Sequence, residues 1–123
     1  MTDDEAAPPA DNTVFLRGVL AAPAAIRTLP SGDELCTFRI TVARPARTRG
    51  RVDSIDCSAT CAAVRRTALR GEPGDRIEVS GSLRRRFWRS AGGALGSRYE
   101  VDVAALKLSR SRRQRPTAVA GEA

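Results

Sequence analysis

Residues 77–88, IEVSGSLRRRFW, alternate in a period of two, with Ile77, Val79, Gly81, Leu83 and Phe87 on one side and Ser80, Ser82, Arg84, Arg86 and Trp88 on the other. Strand side chains switch faces at every residue, so the first set is the predicted core face and the second the exposed face. The same period recurs in NTVFLRGVL (12–20), where Val14, Leu16 and Leu20 point inward and Gly18 marks a bulge or sharp bend. In LCTFRITVA (35–43), Cys36, Phe38, Ile40 and Val42 face inward and Thr37, Arg39 and Thr41 outward; Pro30, Ser31 and Gly32 form the turn before it. A third strand is expected over 52–59, with Ile55, Cys57 and Ala59 alternating against Ser54, Asp56 and Ser58. The 3.6 period takes over in TCAAVRRTALR (60–70), a short helix with Cys61, Val64 and Ala68 on one face, stopped by Gly71 and Pro73. After the 77–88 strand, SAGGALGS (90–97) is expected as a flexible loop and 98–108 as a last strand with Tyr99, Val101 and Val103 inward. The chain is therefore predicted to be all-β with one short helix. Five strands with the helix between the third and fourth is the order of a five-stranded OB-fold barrel.

At 123 residues the chain suits one such domain, expected over 12–108. It is flanked by an acidic leader (1–11), a solvated tail that is also a weak candidate competitor for the basic surface, and a basic, disordered tail (109–123). Charge follows this division: the leader carries Asp3, Asp4, Glu5 and Asp11, whereas residues 12–108 hold 17 basic and 9 acidic groups. A positive domain attracts phosphate backbones. Twenty of the 21 basic residues are arginine, beside abundant alanine. That bias fits GC-rich coding, so the clustering of arginines carries more information than their identity.

Several classes of chemistry lack their residues. There is no histidine, the commonest general base. The carboxylates Asp53, Asp56, Glu78, Glu100 and Asp102 are scattered along strands, and no nucleophile elbow or phosphate loop occurs. Cys57 and Cys61 stand four apart without a second pair, so a zinc site lacks ligands, and Cys36 makes the count odd. Free or buried thiols, no enzyme, no metal, no cofactor and no small-molecule substrate are expected. The N-terminus lacks the pattern of a secretion signal and no apolar run could span a membrane, so a cytoplasmic, nucleoid-associated protein is expected.

What remains is a surface for polyanions. Unpaired bases expose flat apolar faces for stacking, and their phosphates need cations. Trp88 supplies the ring; Arg84, Arg86 and Arg89 stand beside it, Arg39 shares the exposed face of the second strand, and Arg98 follows the glycine-rich loop. Residues 44–51, RPARTRGR, add Arg44, Arg47, Arg49 and Arg51 in what is expected to be a mobile basic loop. Solvated arginines around an aromatic cap would look the same in sequence. So would a protein-interaction or assembly OB module, an RNA binder or a primosome-type OB accessory.

Three ordered segments resemble the bacterial single-stranded DNA-binding protein family. They are NTVFLRGVLAAPAAIRTLPSGDELCTFRITVA, the helix with GDRIEVSGSLRRRFW, and the glycine-rich loop with SRYEVDVAALKL, which together span nearly all of 12–108. The resemblance implies an OB-fold that forms homo-oligomers, usually tetramers although a dimer is open, and that wraps single-stranded DNA in replication, repair and recombination. It gives Trp88 the role of a base-stacking aromatic and Arg84 and Arg86 that of basic contacts. The chain departs from the family pattern where Thr48, Ser54 and Thr60 stand in place of further stacking aromatics. It departs again in its tail, which contains Arg110, Arg112, Arg113 and Arg115 instead of an acidic end. Both departures point to an accessory or divergent paralogue that leans on cations and binds with a steep salt dependence.

Overall fold

The computed structural model describes residues 7–45 and 51–110. Among these residues are six strands and one helix: β1 (Val14–Leu20), β2 (Ala25–Thr28), β3 (Glu34–Ala43), β4 (Val52–Ala59), α1 (Ala62–Leu69), β5 (Arg76–Arg89) and β6 (Leu95–Ser109). Five of them close into a ring in the order β1-β3-β4-β6-β5-β1, with only the β4–β6 pair parallel. This is the OB-fold order, with α1 between the third and fourth ring strands as expected.

Closure depends on Gly18. β1 runs along β5 from Val14 to Val19 and then meets β3 through Val19 and Leu20. A Cβ at position 18 would collide with the Thr41 carbonyl, so the crossing of the two strands needs a residue without one. The bend predicted at this glycine is the corner where β1 changes partners.

Inward alternation fills the ring with Leu20, Cys36, Phe38, Ile40, Cys57, Ala59, Ile77, Val79, Val101 and Val103, and Val64 and Ala68 of α1 close one end. Burial pushes the Cys57 thiol up to about 12, with Asp56 and Glu100 adding to it. Cys36 is raised by burial as well.

The structure differs from the sequence expectations in several places. β2 was not expected; it is a four-residue exposed edge, Ala-Ile-Arg-Thr, paired with β3 and too short to show a period, with a tight turn at positive-φ Gly32 joining the two. Cys61 is exposed at the N-cap of α1 instead of lying on its inner face, and the N–H groups of Val64 and Ala63 lower its thiol pKa. Ser58, expected to face solvent, is fully buried. The loop expected over 90–97 shrinks to Ser90–Ala94, because Leu95, Gly96 and Ser97 already pair with Arg89, Trp88 and Phe87. The last strand reaches Ser109, one residue into the expected tail. No helix among the described residues is long and apolar enough to cross a membrane.

Candidate nucleic-acid interface

β5 and β6 form a ladder from Arg76↔Ser109 to Arg89↔Leu95, and its distal half projects beyond the closed ring. There, alternation no longer separates core from solvent, since nothing packs against the would-be inner face. Phe87 and Tyr99, both expected inward, are 68% and 58% exposed, and Leu83 is also exposed. Both faces of the hairpin are therefore open to solvent.

On the first face Trp88, 47% exposed, lies across Gly96. A Cβ built on Gly96 would stand 2.5 and 2.6 Å from Cζ2 and Cε2 of the indole, so the glycine is what lets the ring lie flat on the neighbouring strand. The Arg98 guanidinium sits 5.8 Å from the indole centroid, a cation–π contact that orients the ring and leaves part of it open.

Carboxylates organise the cations beside it. Arg86 Nε donates to Glu100 Oε2 at 2.7 Å, and buried Ser58 donates its hydroxyl to the same oxygen at 2.7 Å. Arg98 Nε lies 4.0 Å from Glu100 Oε1, and the Glu100 side chain is only 6% exposed. Arg84 faces Asp102 at 3.6 Å, and Arg39 on β3 donates to Asp56 on β4 at 2.9 Å. Arg39, Arg98, Asp56 and Glu100 line one groove of about 500 Å³, whose far wall is the segment Ala21–Arg27. A groove of that kind, between the β3–β4 face and the β5–β6 hairpin, could hold an extended polyanion whose bases reach Trp88.

The expected contacts thus fall into groups. Trp88, Arg84, Arg86, Arg98 and Arg39 share one continuous face. Arg44, hydrogen-bonded to Asp53 at 2.9 Å and raised in pKa by that bond, sits with Arg51 where β3 and β4 leave the ring, and the backbone N–H of Arg44 donates to the Arg51 carbonyl. Arg47 and Arg49 lie outside the described residues. Arg89 is separated from Trp88 by alternation: it belongs to the face of Arg85 and Phe87 and donates to the Gly93 carbonyl at 3.0 Å. Sequence reasoning missed Glu100 and Ser58 as organisers, and Arg27 as a groove residue. The signal for Glu100 was its pairing opposite Arg84 and diagonally to Arg86, visible only once the hairpin register is known.

Comparison with known proteins accords with this geometry. The family model described as the single-strand binding protein family matches residues 11–109, the whole ring and the hairpin. Among solved structures, a Plasmodium falciparum SSB in complex with ssDNA is similar in fold, with a TM-score of 0.68 at 20% identity, covering 85% of this chain and 98% of that one. No curated protein matches the sequence. With the family match extending over the strands, helix and hairpin that build the face just described, the chain belongs to the single-strand binding protein family.

Proposed function

We propose that this protein binds single-stranded DNA without strong sequence preference. Trp88 stacks on a base, and Arg39, Arg84, Arg86 and Arg98 meet phosphates along the groove. The observation that carries the reading is the indole held flat on Gly96 and flanked by guanidinium groups on an exposed face. None of the donors there is arranged around an edge pattern that would select one base, and stacking accepts any π-face. Arg44 and Arg51 extend the cationic path along β3 and β4, and the sequence between them adds the cations Arg47 and Arg49. The role is that of a coating protein in replication, repair or recombination, acting in the cytoplasm, with 12–108 as the binding domain. No reaction is assigned to it.

Self-association belongs to the same proposal. β1 pairs with β5 over Val14–Val19 but with β3 only at Val19 and Leu20, so the edge of β1 from Val14 to Gly18 has no partner strand among the described residues. Exposed Phe15 and Val19 stand on the outer face of that strand. An open edge beside exposed apolar side chains suits pairing with a second copy, as a dimer or within a tetramer.

Trp88 is the sole tryptophan, so its fluorescence tests the reading. Quenching by an oligothymidylate, reversed by salt and absent with a matched duplex, is expected. An indole indifferent to single strands that nevertheless responds to a protein partner would replace DNA binding with an assembly role.

A further inference from the structure

The second face of the β5–β6 hairpin is built from Leu83, Arg85, Phe87 and Arg89 on one strand and Leu95, Ser97 and Tyr99 on the other. Arg85 is its centre. Its guanidinium carbon lies 5.2 Å from the Phe87 centroid and 5.3 Å from that of Tyr99, while its nitrogens donate to the Ser97 hydroxyl at 3.1 Å and the Tyr99 hydroxyl at 3.5 Å. Two exposed rings are thus held in place by one cation.

Charge separates this face sharply from the first. Arg84, Arg86 and Arg98 are all matched by Asp102 or Glu100. Arg85 and Arg89 have no carboxylate within ion-pair distance among the described residues, and none of the seven residues named above is acidic. Toward the ring, the surface runs into a cleft of about 360 Å³ whose lining is apolar at Val14, Leu16, Ile55, Leu83 and Tyr99 and includes the carboxylates Asp56 and Glu100, so the acid-free region is the hairpin face itself. That volume is in the range of sites for small flat ligands.

We propose that this face is a second stacking platform for the same single strand, with Phe87 and Tyr99 receiving bases and Arg85 a phosphate, so that the polynucleotide crosses the hairpin and is held on both sides. The proposal rests on the single-strand binding reading above and adds to it residues and a path. Exposed aromatic rings alone would suit an apolar protein partner equally well. The unmatched guanidinium decides against that, because an apolar surface would bury Arg85 without a counter-charge, whereas a phosphate supplies one. Every base offers a face to the rings, and each nucleotide brings the anion that Arg85 lacks.

The test uses the full chain and two oligothymidylates, one of about 4 nucleotides and one of about 16, the ends of the footprint range of an OB-fold. Binding of the short one is followed by Trp88 quenching and of the long one by anisotropy of a terminal dye. Replacing both rings (F87A/Y99A) should leave the short-strand titration as in the wild type and weaken the long-strand affinity by about 5-fold or more per ring, the lower end of what stacking contributes. Arg85→Gln, which keeps both rings, should weaken the long strand and reduce its log–log salt slope by about 0.7. Both variants change exposed residues, and an unaltered thermal midpoint will show that the fold is kept. If F87A/Y99A and R85Q hold the long strand with wild-type affinity and slope, the platform does not exist. If the double variant instead lowers the oligomer mass while DNA affinity is unchanged, the face is a contact between copies and the proposal is overturned. Failure of the wild type to bind either strand would be a different result, removing the first reading and this one with it.

Discussion

Gly96→Ala tests the placement of Trp88 without removing it. The added Cβ would stand 2.5 Å from Cζ2 of the indole, well inside contact distance, while the backbone of Gly96 has no positive φ that alanine would resist. Trp88 is half exposed, so the ring escapes by swinging toward solvent, and the strand pairing has no cause to change. Fold stability then has two small opposing contributions. Alanine reduces the freedom of the unfolded chain, stabilising by about 0.4–1 kcal/mol, and the displaced ring loses contacts of similar size. Stability should therefore shift by less than about 1 kcal/mol, whereas the stacking contribution to binding, about 1–3 kcal/mol per base, is lost or reduced. At about 1.4 kcal/mol per factor of ten, oligothymidylate affinity should fall roughly 5- to 150-fold. Urea melts read the first quantity, and dye-labelled oligonucleotide anisotropy the second. A red-shifted indole emission would confirm that the ring has moved. Should the emission shift while affinity stays at the wild-type value, stacking by Trp88 is refuted, since a ring displaced from its seat would have been irrelevant to binding.

Three further outcomes are expected. Glu100→Gln removes the charge that Arg86 and Arg98 share and should cost stability, at most the roughly 1.5–3 kcal/mol of charge-assisted hydrogen bonding, while raising oligonucleotide affinity at low salt; a thermal midpoint equal to wild type with weaker binding would contradict it. Replacing Arg39, Arg84 and Arg86 together with Gln should flatten the log–log salt dependence by less than the roughly 0.7 per neutralised phosphate that unpaired cations would give, since each is already paired with a carboxylate, and an unchanged slope would remove them from the interface. The thiols give the third: Cys61, with its pKa lowered, should react with a disulfide reagent in the native protein near pH 8 while Cys36 and Cys57 wait for unfolding. Because the folded pKa of Cys57 lies near 12, above its unfolded value of 9.0, the folded protein keeps a proton that the unfolded chain releases. Stability should accordingly decline between those two pH values, by no more than about 1.4 kcal/mol per unit, and decline less in Cys57→Ala.

The ring was legible because its interior obeys a two-residue period. Cys36, Phe38 and Ile40, or Ile77 and Val79, could be assigned inward from spacing alone, and all are buried. The same rule misassigned Phe87 and Tyr99, since a period says which residues share a face and not whether another layer covers it; the hairpin leaves the ring while its alternation continues. β2 carries too few alternating positions to show itself, being exposed throughout and, among the described residues, paired with β3 alone. At the site, Trp88 with Arg84 and Arg86 could be grouped by parity. Arg89 fell to the other side by that same parity once the strand was seen to run unbroken through it. The carboxylates opposite these arginines come from another strand, and cross-strand register is set by turn length. The turn closes between Ser90 and Ala94 instead of spanning 90–97.

The acids that clasp Arg39, Arg84, Arg86 and Arg98 also bear on how fast the protein could move. Each guanidinium already has an anionic neighbour, so a phosphate arriving there displaces a carboxylate, and a departing one is replaced by it. Neither event leaves a bare charge, which keeps the barrier to advancing by one nucleotide low. Fewer mobile ions are also released than the number of arginines would imply. Such a surface suits travel along a polymer more than a fixed grip on one stretch of it.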